Sequence, residues 1–135
     1  MTEDEIYQSH QKRDLQIQTQ LQQFQHNPQR VKYWAGGLSL TEGTQFLIQH
    51  GYHWLIDIIA SWQPILKLKN KDEFQVWTLE INLDTKAGKL MATDGESTIA
   101  QQDIQHWNTS IKSITVIINN KDVLLPSEYE GLDFP

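Results

Sequence analysis

The chain has 135 residues, five tryptophans and an apolar fraction of 39%, enough for one domain with a real hydrophobic core and too much for general disorder. It has no cysteine, which excludes disulfides, thiolate metal sites and cysteine nucleophiles. Seventeen acids against eleven Lys and Arg give a net charge of −6, which argues against a general affinity for DNA or RNA, whose phosphates demand Lys and Arg.

The opening MTEDEIYQSHQKRD has neither a basic n-region nor an apolar h-region. The longest apolar run, at residues 54–60, is far short of the roughly 20 residues a membrane span needs. The expectation is a soluble, cytoplasmic protein with no membrane role. In the glutamine-rich stretch 1–29, Leu15, Ile17, Leu21 and Phe24 fall near helical spacing, so a helix is expected from about Thr2 or Glu3 to Gln25, ended by His26-Asn27-Pro28. Residues 30–135 are expected to form a single α+β domain.

Within that domain, residues 30–35 read as a strand, Gly36-Gly37 as a turn, and residues 38–40 as a second short strand. Thr41 stands where an N-cap belongs, before about ten helical residues, and Gly51 where a C-cap glycine would. A second helix is expected from Tyr52 or His53 to about Trp62, stopping before Pro64. Trp77, Leu79, Ile81 and Leu83 then alternate with Val76, Thr78, Glu80 and Asn82, the mark of a half-buried strand. Residues 89–93 return as its partner, and residues 114–118 form a buried strand. Asn119-Asn120-Lys121-Asp122 turns that strand back into residues 123–125, which Pro126 stops at an edge. The segment around Ile99 and Ile104 has no clear assignment. The fold class is α+β: N-terminal helices packed on one face of an antiparallel sheet of about four to six strands.

His53, Asp57 and Ser61 share a narrow polar strip on the second helix, beside a broad apolar face of Trp54, Leu55, Ile58, Ile59 and Trp62. A hydrolytic triad needs histidine between aspartate and serine. Here His53 and Ser61 are about 12 Å apart along one helix, at 1.5 Å per residue, so no catalytic set is assigned. His50, His53 and Asp57 could supply metal ligands, but a break at Gly51 separates the two histidines, and neither metal nor cofactor is expected. The strip reads instead as a structural anchor, with Asp57 paired to His53 or taking hydrogen bonds from a neighbouring loop. Trp54, Trp62 and Trp77 fall at core phases. Trp34 and Trp107 are less regular and are candidates for a partner surface. The closing segment SEYEGLDFP adds Glu128, Tyr129, Glu130, Asp133 and Phe134, either folded on the sheet or serving as a recognition segment.

The segments TEGTQFL, HWLIDIIASWQ, FQVWTLEINLD, the turn at Asp94-Gly95 and VLLPSEY together resemble a bacterial domain family of unknown function. Its members are small proteins often found in cyanobacteria and on mobile elements. The resemblance runs from about Trp34 to Tyr129, with WLxDxIxSxQ and LPSEY its more specific pieces, and the glutamine-rich start lies outside it. Thr41-Glu42-Gly43 stands where the family usually has Thr-Asp-Gly, and residues 106–110, His-Trp-Asn-Thr-Ser, where it has an aspartate-phenylalanine-proline segment. The resemblance implies one α+β domain and carries no activity.

The leading expectation is a non-enzymatic, acidic protein-binding module with a basic protein partner and no direct nucleic-acid binding. One form of it is an inhibitor from a phage or mobile element that blocks a basic nucleic-acid-binding effector. The alternatives are a small enzyme built on Asp57, His53 and His106, and a homo-oligomer subunit joined through the hairpin edge at residues 123–125.

Overall fold

Period-two burial organises the second half of the chain. In the strand Phe74–Ile81 the buried positions are Gln75, Trp77, Leu79 and Ile81, while the intervening Val76 and Thr78 are half-buried and Glu80 is exposed. The computed structural model describes residues 15–20, 30–33, 37–105 and 111–130. Residues 15–20 are helical (α1). They precede β1 (Val31–Lys32), β2 (Ser39–Leu40), α2 (Glu42–Leu47), a π-helical turn (Ile48–Tyr52) and α3 (His53–Leu68). Then come β3 (Phe74–Ile81), β4 (Gly88–Thr93), β5 (Thr98–Ile104), β6 (Ser113–Asn119), β7 (Asp122–Leu124) and α4 (Pro126–Glu130).

The fold is α+β, and among the described residues one sheet runs β1-β2-β7-β6-β3-β4-β5. Register aligns Val116, Trp77, Ala92 and Ala100 in one row and Ile114, Leu79, Leu90 and Gln102 in the next, so one continuous face is buried. α3 packs there through Leu55, Ile56, Ile59, Ala60 and Leu66. Ile17 of α1 is buried in the same core. α4 touches the opposite face, where Tyr129 meets Phe74 with ring centroids 5.9 Å apart.

Four expectations need correction. The sheet has seven strands, more than expected, because β5 is a real strand whose inward positions include the polar Gln102, which hides the alternation. It is mixed rather than antiparallel: β2 runs parallel to β7, pairing Leu40 with Val123. That pairing makes β7 an interior strand between β2 and β6, with Val123, Leu124 and Leu125 all buried, so the proposed oligomer edge does not exist there. Pro126 instead opens α4, where its missing N–H costs nothing. Finally, α3 runs four residues past Pro64. The proline removes one bond to the carbonyl four residues back, but burial of Gln63 and Leu66 against the core holds the last turn.

Among the described residues, no helix is long and apolar enough to cross a membrane.

Candidate functional site

Two segments more than 80 residues apart in sequence converge on the carboxylate of Glu128. Thr41 caps α2, its hydroxyl accepting the Thr44 N–H at 3.3 Å. The same hydroxyl donates to Glu128 Oε1 at 2.6 Å, and the Gly43 N–H donates to Oε2 at 3.2 Å. From the other side, the Leu125 N–H donates to Oε1 at 2.9 Å, the return half of a capping box at the start of α4. One acid therefore closes the N-termini of α2 and α4 together, where the helix dipoles favour negative charge. The Thr44 hydroxyl donates to the Val123 carbonyl at 2.7 Å, and the Thr41 N–H reaches the same oxygen at 3.2 Å. Glu128 is only 1% exposed and Gly43 is buried beside it. The expectation that Glu128 faces a partner is thus corrected: a buried carboxylate with three donors is an internal clamp.

A second polar cluster joins α3 to the sheet. Gln63 and Gln75 exchange amide hydrogen bonds at 2.9 and 2.8 Å. Gln63 Nε2 also donates to the Ile59 carbonyl at 2.9 Å and Gln75 Nε2 to the Asp72 carbonyl at 3.1 Å, while Gln75 Oε1 accepts the Trp77 indole N–H at 2.7 Å. Both glutamines and Trp77 are buried, and each of these polar groups is satisfied, as a low-dielectric interior requires. Trp62 adds a bond to the far edge of the sheet, its indole N–H donating to Gln102 Oε1 at 2.9 Å. Sequence periodicity could not find this cluster, because glutamine at an inward phase reads as a flaw in the pattern rather than as half of a pair.

On the strip of α3, Asp57 is half-buried and Oδ1 accepts the Tyr33 hydroxyl, a bond that ties the residues after β1 to the helix. His53 is exposed, and the exposed Ser61 donates to the Ile58 carbonyl at 2.6 Å. Gly51, at φ +94, and His50, at φ −103 and ψ 23, break the helical path inside the π-helical turn. His50 accordingly turns back onto Phe46, its Nδ1–H bonded to the Phe46 carbonyl at 2.9 Å and its ring 4.0 Å from the phenyl centroid. Among the described residues, no group of three or more His, Asp or Glu side chains is arranged to hold a metal ion.

Tyr129 is half-buried against Phe74. Trp34, His106, Trp107, Asp133, Phe134 and the side chain of Glu130 lie outside the described residues. Clefts of about 350, 410 and 370 Å³ open elsewhere. The first lies between α3 and the β6–β7 turn, the second between α1, β6 and α4, and the third beside the β3–β4 hairpin.

Residues 15–129 match a family of unknown function, DUF6876. The chain belongs to that family. The match takes in both halves of the Glu128 clamp, the Gln63–Gln75 pair and the Tyr33–Asp57 bond, and it begins inside the glutamine-rich segment that the resemblance had left out. No curated protein and no solved structure matches the chain.

Proposed function

We propose that this member of the DUF6876 family is a non-enzymatic protein-binding module. The observation that carries this reading is the Glu128 clamp: the one buried acid among the described residues is closed off by three donors and joins two helices. A catalytic carboxylate needs access to substrate and freedom to change protonation state. Asp57 is likewise engaged by Tyr33. Apolar side chains, meanwhile, stand in solvent at the end of α3, with Leu68 87% and Ile65 44% exposed.

The net charge of −6 favours a basic partner, and an inhibitor that occupies a basic nucleic-acid channel is the sharpest form of the proposal. Affinity capture of the full chain from its native host, followed by mass spectrometry and light scattering on the recovered complex, tests it. A stoichiometric protein complex is the expected result. For a basic partner, affinity should fall steeply as salt is raised through about 0.5 M. Capture of no protein by the folded chain would overturn the reading.

A further inference from the structure

The cleft of about 350 Å³ between the last turns of α3 and the β6–β7 turn has a composition unlike the rest of this acidic chain. Lys67 enters from α3 and Lys121 from the turn, and Gly37, Gln63, Pro64 and Asp72 also line the cleft. Arg30 pairs with Asp122 and Lys71 with Asp94, and neither Lys67 nor Lys121 takes part in these ion pairs.

The backbone places Lys121 at some cost. Asn120 and Lys121, at φ 50 and 72, are the central pair of a two-residue β6–β7 turn, where the second position usually takes glycine. The chain puts a lysine there. Its Nζ lies over Gly37, 3.5 Å from where a Cβ would stand. Pro64 lines the cleft, and Leu68, one helical turn further along α3, is 87% exposed.

We propose that this cleft docks an acidic peptide segment that also carries an apolar side chain. Lys67 and Lys121 pair with its carboxylates, Asp72 accepts one of its N–H groups, and Leu68 with Pro64 covers the apolar residue. The mixed set of two cations and one acceptor suits a peptide, which has N–H donors, better than a bare anion. An anionic membrane is disfavoured, because a chain of net charge −6 is repelled from it and the lysines line a concavity rather than a protruding face. Two lysines are also too few for a nucleic-acid backbone.

The inference rests on the protein-binding reading and names one surface and the chemistry of the single segment it takes, a local acidic stretch that a partner of basic overall charge can also carry. The test is an NMR titration of the full chain with a synthetic hexapeptide alternating glutamate and leucine, blocked at both ends. Saturable amide shifts should appear at residues 37–40, 63–72 and 119–122, with affinity falling about tenfold or more between low and high salt. K67E and K121E should each weaken binding at least about fivefold, while K112E, at an exposed lysine just before β6, should not.

Three results overturn the inference: equal binding of a serine–leucine peptide, shifts that map elsewhere, or unchanged affinity in both cleft variants. Binding to vesicles of anionic phospholipid without binding to the peptide overturns it too, and assigns the cleft to a membrane surface. Repeating the capture from the host with the K67E/K121E double variant separates the two levels. The same partner recovered by both proteins sinks the cleft and leaves the module reading intact, whereas no partner for the wild type sinks the reading itself.

Discussion

Gly43 sits directly against the Glu128 carboxylate. Its N–H donates to Oε2 at 3.2 Å, and a Cβ at this position would stand 2.6 Å from Oε1 and 2.7 Å from Leu125 Cδ1. Side-chain ends usually move aside for a methyl group, but Oε1 is pinned by Thr41 and Leu125. Alanine gains about 1 kcal/mol of helix propensity over glycine. Overpacking costs about 1–3 kcal/mol, and displacing the carboxylate weakens three hydrogen bonds as well. Gly43→Ala should therefore destabilise the fold by about 2 kcal/mol net in urea unfolding; an unchanged midpoint would mean that the clamp is slack.

Glu128→Gln keeps the shape of the clamp but replaces one acceptor oxygen with an NH₂ donor that faces N–H and O–H groups. The loss should be about 2–3 kcal/mol, since hydrogen bonds to charged acceptors are the stronger class. Thr41→Ala removes the N-cap and one donor to Glu128 together. The double variant should cost less than the sum of the two singles, because both act on one network. Additive losses would show that Thr41 and Glu128 are independent.

Replacing Gln63 with leucine leaves Gln75 with half its partners, and replacing Gln75 with leucine strands both Gln63 and the Trp77 indole N–H. Each single change should cost about 2 kcal/mol, the Gln75 variant more. The double Gln63→Leu, Gln75→Leu variant should recover part of the loss, because an apolar pair of similar size leaves fewer orphaned groups. Thermal unfolding of the three proteins measures the coupling, and a double variant worse than the sum would reject the pairing as drawn.

The carboxyl of Asp94 is held well below the usual carboxylate range by the Ser97 N–H, then by the Lys71 ammonium at 2.9 Å, then by the Glu96 N–H. A group whose pKa is lower in the folded state stabilises the fold above its unfolded pKa, and that contribution is lost as pH falls through the acid range. Asp94→Asn should lower stability in the neutral region, where the wild-type contribution is fully present, and flatten the acid limb below about pH 4, so that the two proteins converge as pH falls. An acid limb of unchanged slope would place the relevant protonation elsewhere.

Pro64 lies inside α3 and is exposed. Pro64→Ala restores the missing backbone bond to the Ala60 carbonyl and should stabilise the protein by about 1–2 kcal/mol, less than the roughly 3 kcal/mol cost of proline in an ideal helix, because the unfolded chain also gains freedom. A lower melting temperature would show that the proline ring itself packs usefully.

Much of the architecture was legible because one physical signal dominates it. Trp77, Leu79 and Ile81 alternate as a half-buried strand must, Thr41 caps α2 as its position implies, and Asn120-Lys121 turns β6 into β7. What escaped has a shared cause. β5 was obscured because Gln102 occupies an inward position and answers the Trp62 indole. β7 looked like an edge because its second neighbour, β2, lies more than 80 residues earlier and leaves no local trace. Glu128 looked like a surface acid because carboxylates usually are, and its three donors come from loops and caps rather than from a periodic pattern. Asp57 lies among apolar residues and so calls for a partner, yet nothing in the sequence singles out Tyr33 as the donor.

The parallel β2–β7 pair also sets an order of assembly. Leu40 cannot find Val123, nor Thr41 its carboxylate, until the chain through Glu128 is available, so the earliest strands and the N-terminus of α2 are among the last parts to be secured. The β3–β4 and β4–β5 hairpins need only neighbouring residues and can form while that closure is still pending. During this interval Leu38, Leu40 and Leu47, all buried in the finished fold, have no strand to cover them, which makes the segment 38–47 the stretch most exposed to misassociation before the fold is complete.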